Sequence, residues 1–202
     1  MLVLHVITSL ESGGAQRILV RMVRDVEETK IIVVSLMDEG LHGKTLRLAG
    51  VPVYCLGMTG ALSFPRALMH LICLLRRHRP DVVMSWLYHA DFLATLATRI
   101  NPIPLIWNLR GSEMEFERYA PTTRWIVWMM RFLSPLPQAI AFNSWAGKRV
   151  HEALGYRSDL WVYLPYGFNP EEWCPDATDR ERVRLEWGVD QDSVVIMMVA
   201  RH

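Results

Sequence analysis

The chain has 202 residues, of which 51% are hydrophobic and 21% charged, so it can bury a full core and is not a disordered segment. Its 22 Lys and Arg nearly cancel 21 Asp and Glu, a formal charge of +1 that gives no support to nucleic-acid binding as the main task. Cys55, Cys73 and Cys174 have neither Cys-x-x-Cys nor metal-ligand spacing and are expected as reduced thiols in a cytoplasmic protein.

The chain opens on an apolar strand, Leu2–Ile7, without the basic stretch of a secretion signal. Residues 15–26 follow with apolar side chains at 15, 18, 19, 22, 23 and 26, the stripe of a helix packed on a sheet. Strands are expected at 30–36 and 51–56, then a helix over 64–79 and a strand over 81–86. The helix expected over 89–100 places 89, 92, 93, 96, 97 and 100 on one face. Further strands follow at 103–108, 138–143 and 160–164. The strands are apolar without alternation, as strands covered on both faces are. Strand–helix alternation of this kind predicts an α/β fold, a Rossmann-like, doubly wound parallel sheet with right-handed crossovers.

Turn formers at 164–170, Leu-Pro-Tyr-Gly-Phe-Asn-Pro, mark an exit from this domain. A short charged helix over 178–187 ends at Gly188, and 193–200 reads as a buried-type strand. The expected division is a domain over 1–166, a linker over 167–192, and the first strand of a second domain over 193–202. That strand has nothing after it to pack on, so the chain is expected to be a fragment. No apolar run approaches the ~20 residues of a membrane span.

Ligands of an open parallel sheet bind at the carboxyl ends of its strands, and four loops there carry polar groups. After the first strand, Ser9-Leu10-Glu11-Ser12-Gly13-Gly14 offers backbone amides to an anion at a helix N-terminus; a plain tight turn is an equal reading. The loop is not Gly-x-Gly-x-x-Gly, so a nicotinamide or flavin site is weakly supported. His89 opens its helix on the apolar stripe, facing the sheet and cleft, where a packed structural histidine is the commoner outcome. Asp91, two residues on, could serve as a helix cap and do nothing more. Arg110-Gly111-Ser112-Glu113 suits sugar hydroxyls or phosphate, or else a salt-bridged surface loop. Asn143-Ser144 reads first as a helix N-cap.

Several of these segments together resemble the N-terminal domain of family 4 GT-B glycosyltransferases. Leu4-His5-Val6-Ile7-Thr8-Ser9-Leu10 with Gly13-Gly14-Ala15-Gln16-Arg17 is similar to that family's opening strand and loop. Arg79-Pro80-Asp81-Val82-Val83 followed by His89, Ala141-Phe142-Asn143-Ser144, and Pro165-Tyr166-Gly167-Phe168-Asn169 resemble later family segments in order. Val199-Ala200-Arg201-His202 looks like the first strand of the donor domain. Arg110-Gly111 stands where His-Gly is frequent in the family.

The resemblance implies retaining transfer of a sugar from a nucleotide diphosphate sugar to a glycan or lipid-linked acceptor, without a cofactor or metal. By the same resemblance His89 would act at the reacting centre, and Gly13, Gly14 and Arg201 would hold the donor phosphates. Arg110, Glu113, Asn143 and Ser144 would bind the acceptor. The chain would be the acceptor-side half of the enzyme, inactive alone. A GT-B sugar-nucleotide epimerase and a non-catalytic binding module are the competing readings.

Residues 124–133, Arg-Trp-Ile-Val-Trp-Met-Met-Arg-Phe-Leu, could rest at a bilayer interface, aided by the basic row Arg17, Arg21 and Arg24. A buried helix and a solvated face are the alternatives, and they are favoured because no clean polar face separates on this segment. The expected location is the cytoplasm, with the inner face of the membrane as a possible station.

Overall fold

The computed structural model describes residues 1–24, 26, 28–111, 119–171 and 173–198. The chain divides into two units, Met1–Tyr166 and Gly167–His202.

In the first unit strands and helices alternate: β1 (Leu2–Ile7), α1 (Gly14–Arg24), β2 (Lys30–Ser35), α2 (Gly40–Leu48), β3 (Val53–Cys55), α3 (Phe64–His78), β4 (Val82–Trp86) and α4 (Tyr88–Ile100). They continue with β5 (Leu105–Leu109), α5 (Pro121–Leu133), β6 (Ala139–Phe142), α6 (Trp145–Ala153) and β7 (Trp161–Tyr163). The seven strands form one sheet in the order β3-β2-β1-β4-β5-β6-β7, and every pairing is parallel. This is the Rossmann-like, doubly wound fold that the strand–helix alternation predicts.

Register assigns the two faces. Leu4, Ile32, Val83 and Leu105 are on the face covered by α3, α4 and α5. Ile7, Trp86, Val33 and Val53 are on the face covered by α1 and α2. Burial on both sides removes the alternation that a half-exposed strand would show.

Two helix faces differ from expectation. In α1 the buried residues are Ala15, Gln16, Leu19, Val20 and Val23, and Val26 is exposed. In α4 they are Ala90, Asp91, Leu93, Ala94, Thr95, Ala97 and Thr98, while Ile100 is exposed. Small residues allow α4 to approach the sheet closely, and its buried threonines are hydrogen-bonded inside. Thr95 Oγ1 donates to the Asp91 carbonyl (2.7 Å) and accepts from Trp107 Nε1 (3.0 Å); Thr98 Oγ1 donates to the Ala94 carbonyl (2.9 Å). A stripe counted only from large apolar residues misses a face built this way.

In the second unit α7 (Ala177–Trp187) is capped by Asp176, whose carboxylate accepts from the Thr178 and Asp179 amides, and it ends at Gly188 with φ +66°. The strand expected over 193–200 is not formed at 193–198, where Val194, Val195, Ile196, Met197 and Met198 are exposed. Strand geometry is held by a hydrogen-bonded neighbour, and the described residues provide none there. Residues 199–202 lie outside the described set.

Candidate functional site at the strand carboxyl ends

The loop after β1 is built on two glycines with different surroundings. A Cβ on Gly13 would meet only the movable carboxamide end of Gln16, which donates to Ser9 Oγ at 3.4 Å. Gly14, the first residue of α1, has nothing within 4 Å of its would-be Cβ and is exposed. The loop is held from the side by Gly40, with φ +56° and a would-be Cβ 2.5 Å from the Leu10 carbonyl. His42 N–H closes the same contact by donating to Leu10 O at 2.9 Å.

β1 and β4 are neighbours from which the sheet is wound in opposite directions, so the crevice between them is the topological switch point. Leu87, directly after β4, has φ +72° and ψ 149°, a region that non-glycine residues occupy only under constraint. Such strain gathers at ligand sites, and Leu87 lies at the place where this fold binds ligands. No sequence signal marks it, because leucine there looks like any core residue.

Beneath Leu87, Trp86 Nε1 donates to His5 Nδ1 at 3.1 Å. Burial holds the His5 pKa down at about 4, so its imidazole stays neutral and able to accept. The Arg110 guanidinium lies 5.1 Å from the Trp86 ring centroid and 5.1 Å from that of Tyr166, and donates to Leu164 O at 3.1 Å. It therefore meets two aromatic rings, and it ties the segment after β7 to the ends of β4 and β5. Its Nε is buried without a partner among the described residues. Arg110 is thus a packed clamp, neither a free arm nor a surface ion pair.

At the start of α4, His89 is half-buried and its pKa is lowered by desolvation, which leaves it neutral near pH 7. Asp91 does not cap the helix: the N-cap is Leu87 and no side-chain cap bond is made. It is fully buried instead, accepts from Ser85 Oγ at 2.6 Å, and has Oδ2 unpartnered. Burial raises its pKa to about 8, so it is a neutral acid at physiological pH.

Next to it, His151 Nδ1 donates to the Gly147 carbonyl (2.7 Å), which leaves Nε2 to accept from Tyr88 Oη (2.9 Å). Gly147 packs α6 against the loop after β5, since a Cβ there would lie 3.0 Å from Gly111 O. Ser144 is the N-cap of α6, accepting from Gly147 N at 3.0 Å, with half-buried Asn143 before it.

His89, Arg110, Asn143 and Ser144 are thus at the carboxyl ends of β4, β5 and β6, and Gly13 and Gly14 at that of β1. Glu113 and Arg201 lie outside the described residues. Leu87, Gly40 and the Tyr88–His151 pair were missed by sequence reasoning, and Asp91 was named there only as a helix cap, a role it does not have. A glycine at 40 was the one visible signal, and it has no motif around it.

An all-parallel sheet with helices on both faces and its polar loops gathered at the strand carboxyl ends defines a Rossmann-like α/β domain. The sequence profile of glycosyltransferase family 4 matches residues 12–172, and the chain belongs to that family. No curated protein matches the chain in sequence. Among solved structures, HepE of Anabaena in complex with UDP superposes with a TM-score of 0.78 at 19% identity, over 93% of this chain and 50% of that one. A glycosyltransferase from Rickettsia africae gives 0.71 at 12% identity, over 95% and 50%. A UDP-N-acetylglucosamine 2-epimerase from Rickettsia bellii gives 0.60 at 13%, over 90% and 51%. The chain spans about half the length of these structures, and at such identities the likeness shows the fold, here the N-terminal half of GT-B.

Proposed function

We propose that the full-length protein is a retaining glycosyltransferase of the hexosyl type, acting in polysaccharide, lipopolysaccharide or glycolipid synthesis. The donor is a nucleotide diphosphate sugar and the acceptor a hydroxyl of a glycan or lipid-linked glycan. The family match over residues 12–172 is the observation that carries this reading. That HepE has been solved with UDP-glucose supports the donor class.

In the reaction the bond between anomeric carbon and diphosphate breaks, the acceptor oxygen bonds to that carbon on the same face, and the acceptor hydroxyl's proton passes to the departing diphosphate oxygen. Negative charge develops on the diphosphate. The exposed first turn of α1 at Gly14, the positive end of that helix, suits that charge, and Arg201 would neutralise it. A neutral His89 would donate or accept a hydrogen bond near the reacting centre. Asn143 presents a carboxamide to the acceptor; the Ser144 hydroxyl, already accepting from Gly147, keeps its proton to donate. Arg110 acts by fixing the cleft wall, with Glu113 on the acceptor side.

The test is transfer of labelled sugar from UDP-glucose or GDP-mannose to a membrane-glycan extract by the full-length protein. His89→Ala is expected to lower kcat by about 10²-fold, the cost of one preorganised hydrogen-bonding group. The epimerase fold match supports a second reading. A donor isomerised without any transfer would favour that reading and overturn ours. The 202-residue chain alone is expected to be inactive and to bind nucleotide sugars weakly; sub-millimolar affinity in titration calorimetry would mean the donor site is misplaced.

A further inference from the structure

The helical layer formed by α3, α4 and α5 combines exposed arginines with exposed aromatic side chains. Its three helices contain a single carboxylate, Asp91, which is fully buried, against six arginines: Arg66, Arg76, Arg77, Arg99, Arg124 and Arg131. Helices α1 and α2 on the opposite face have no carboxylate and contain Arg17, Arg21, Arg24, Lys44 and Arg47, so it is the aromatic surface beside the arginines that sets the α3–α5 layer apart. None of these six is in an ion pair among the described residues; the pairs present involve Arg47, Lys148 and Arg182.

An aromatic ridge crosses the same layer. Phe64 of α3 meets Phe92 of α4 with ring centroids 5.6 Å apart, and Phe92 meets Trp125 of α5 edge-on at 5.9 Å. Trp128 and Phe132 continue it along α5, edge-to-face at 5.2 Å, with the Arg131 guanidinium over both rings. α5 buries Ile126, Val127 and Met130, while Trp125, Trp128 and Phe132 remain 52%, 50% and 56% exposed. The segment therefore has two faces after all, one packed on the domain and one aromatic and outward. No helix among the described residues is long and apolar enough to cross a membrane, so burial of this face by insertion of a whole helix is not the solution.

We propose that the α3–α4–α5 layer docks on an anionic bilayer surface, with the tryptophans at headgroup depth and the arginines on lipid phosphates. Half-exposed Trp beside unpaired Arg is the chemistry that an interface with an apolar floor and anionic headgroups accepts. The placement of the ridge ties docking to the cleft. Phe64 is the first residue of α3, and Phe92 and Trp125 are the fifth residues of α4 and α5, all at the end of the layer nearest the strand carboxyl ends. His89 and Phe92 are three residues apart on one helix and so share a face, about one turn of ~5 Å from each other. A bilayer on the ridge would deliver a lipid-anchored acceptor headgroup to the mouth of the site. This deepens the transferase reading and rests on it by selecting the lipid-linked acceptor.

The experiment is flotation of the full-length protein with vesicles of phosphatidylcholine alone or with 30% phosphatidylglycerol, with no donor sugar present. Partition into the anionic vesicles is expected to exceed that into neutral ones by at least tenfold and to collapse in 0.5 M salt, where screening is nearly complete (about 3–5 Å Debye length). Arg66→Gln with Arg124→Gln should lower partition by roughly 25-fold, about fivefold for each arginine. Trp125→Ser with Trp128→Ser should abolish the blue shift of tryptophan emission on vesicle addition, with far-UV dichroism unchanged. Arg182→Gln on α7 should change nothing. Equal association with neutral and anionic vesicles, absence from both, or a concentration-dependent dimer in place of vesicle binding would overturn the proposal. The readout needs no chemistry. Failed flotation with intact sugar transfer would sink only the docking face, and intact flotation without transfer would sink only the transferase reading.

Discussion

Replacing Gly40 with alanine asks the loop after β1 to tolerate two insults that only glycine avoids. The backbone there has φ +56°, which costs an L-residue roughly 1–2 kcal/mol. The new Cβ would also lie 2.5 Å from the carbonyl carbon and oxygen of Leu10 and 2.7 Å from the Glu11 amide, which are backbone atoms and cannot rotate away. Overpacking of that kind costs about 1–3 kcal/mol more. The total, about 2–5 kcal/mol, corresponds to a fall in Tm of roughly 5–20 °C for a domain of this size. Gly50→Ala is the matched control: its φ is +79° but nothing lies within 4 Å of the added Cβ, so only the conformational cost applies. Thermal and urea unfolding of both variants measure the difference, and the displaced Gly13-Gly14 loop should lower activity in the first variant alone. If Gly40→Ala is no less stable than Gly50→Ala, the contact between α2 and the loop is not what holds the loop in place.

Gly14→Ala should leave the urea midpoint within about 0.5 kcal/mol of wild type, since the site is open, while kcat/KM falls at least about tenfold from lost backbone approach; unchanged kinetics would remove Gly14 from the donor site. Arg110→Lys keeps the charge but loses the guanidinium's contacts with Trp86 and Tyr166 and the bond to Leu164, and should cost about 1–2 kcal/mol of stability by denaturant titration. Asp91 has a folded-state pKa raised to about 8, so the folded state holds a proton the unfolded state releases. Its contribution is fully present below the ordinary carboxylate range and is lost as pH rises towards about 8. Asp91→Asn should flatten that decline, and urea midpoints at pH 5 and 8.5 that fall equally in both proteins would contradict the assignment. His5, held neutral with its pKa down at about 4, acts at the other end: stability is lost as pH falls from about 6.5 through 4.

Strand positions were legible because continuous apolar runs have few other uses at that length, and all seven strands up to β7 form near their expected places. Helix faces were less so. α4 turns Ala90, Ala94 and Ala97 inward with Asp91 and Thr95, which only the partner atoms of Ser85 and Trp107 make affordable. α2 and α6, nine residues each, show too few turns for periodicity to single them out. The stretch over 193–198 shows the reverse failure: an apolar run is necessary for a buried strand, but the strand exists only with a neighbour. In the site, Gly13, Ser144 and Arg110 were visible as residue types in the right loops. Leu87 and the Tyr88–His151 pair were not, because strain and a contact across 63 residues leave no local trace.

The most direct test of the account is anomeric analysis of the product made by the full-length protein. UDP-[¹³C]glucose with a membrane-glycan extract, followed by NMR of the glycan, reads whether the label is transferred and on which face of the anomeric carbon. The account predicts transfer with the α-configuration of the donor retained, reduced about 10²-fold in His89→Ala. Transfer with inversion, or release of an isomerised nucleotide sugar with no label in the glycan, would contradict it.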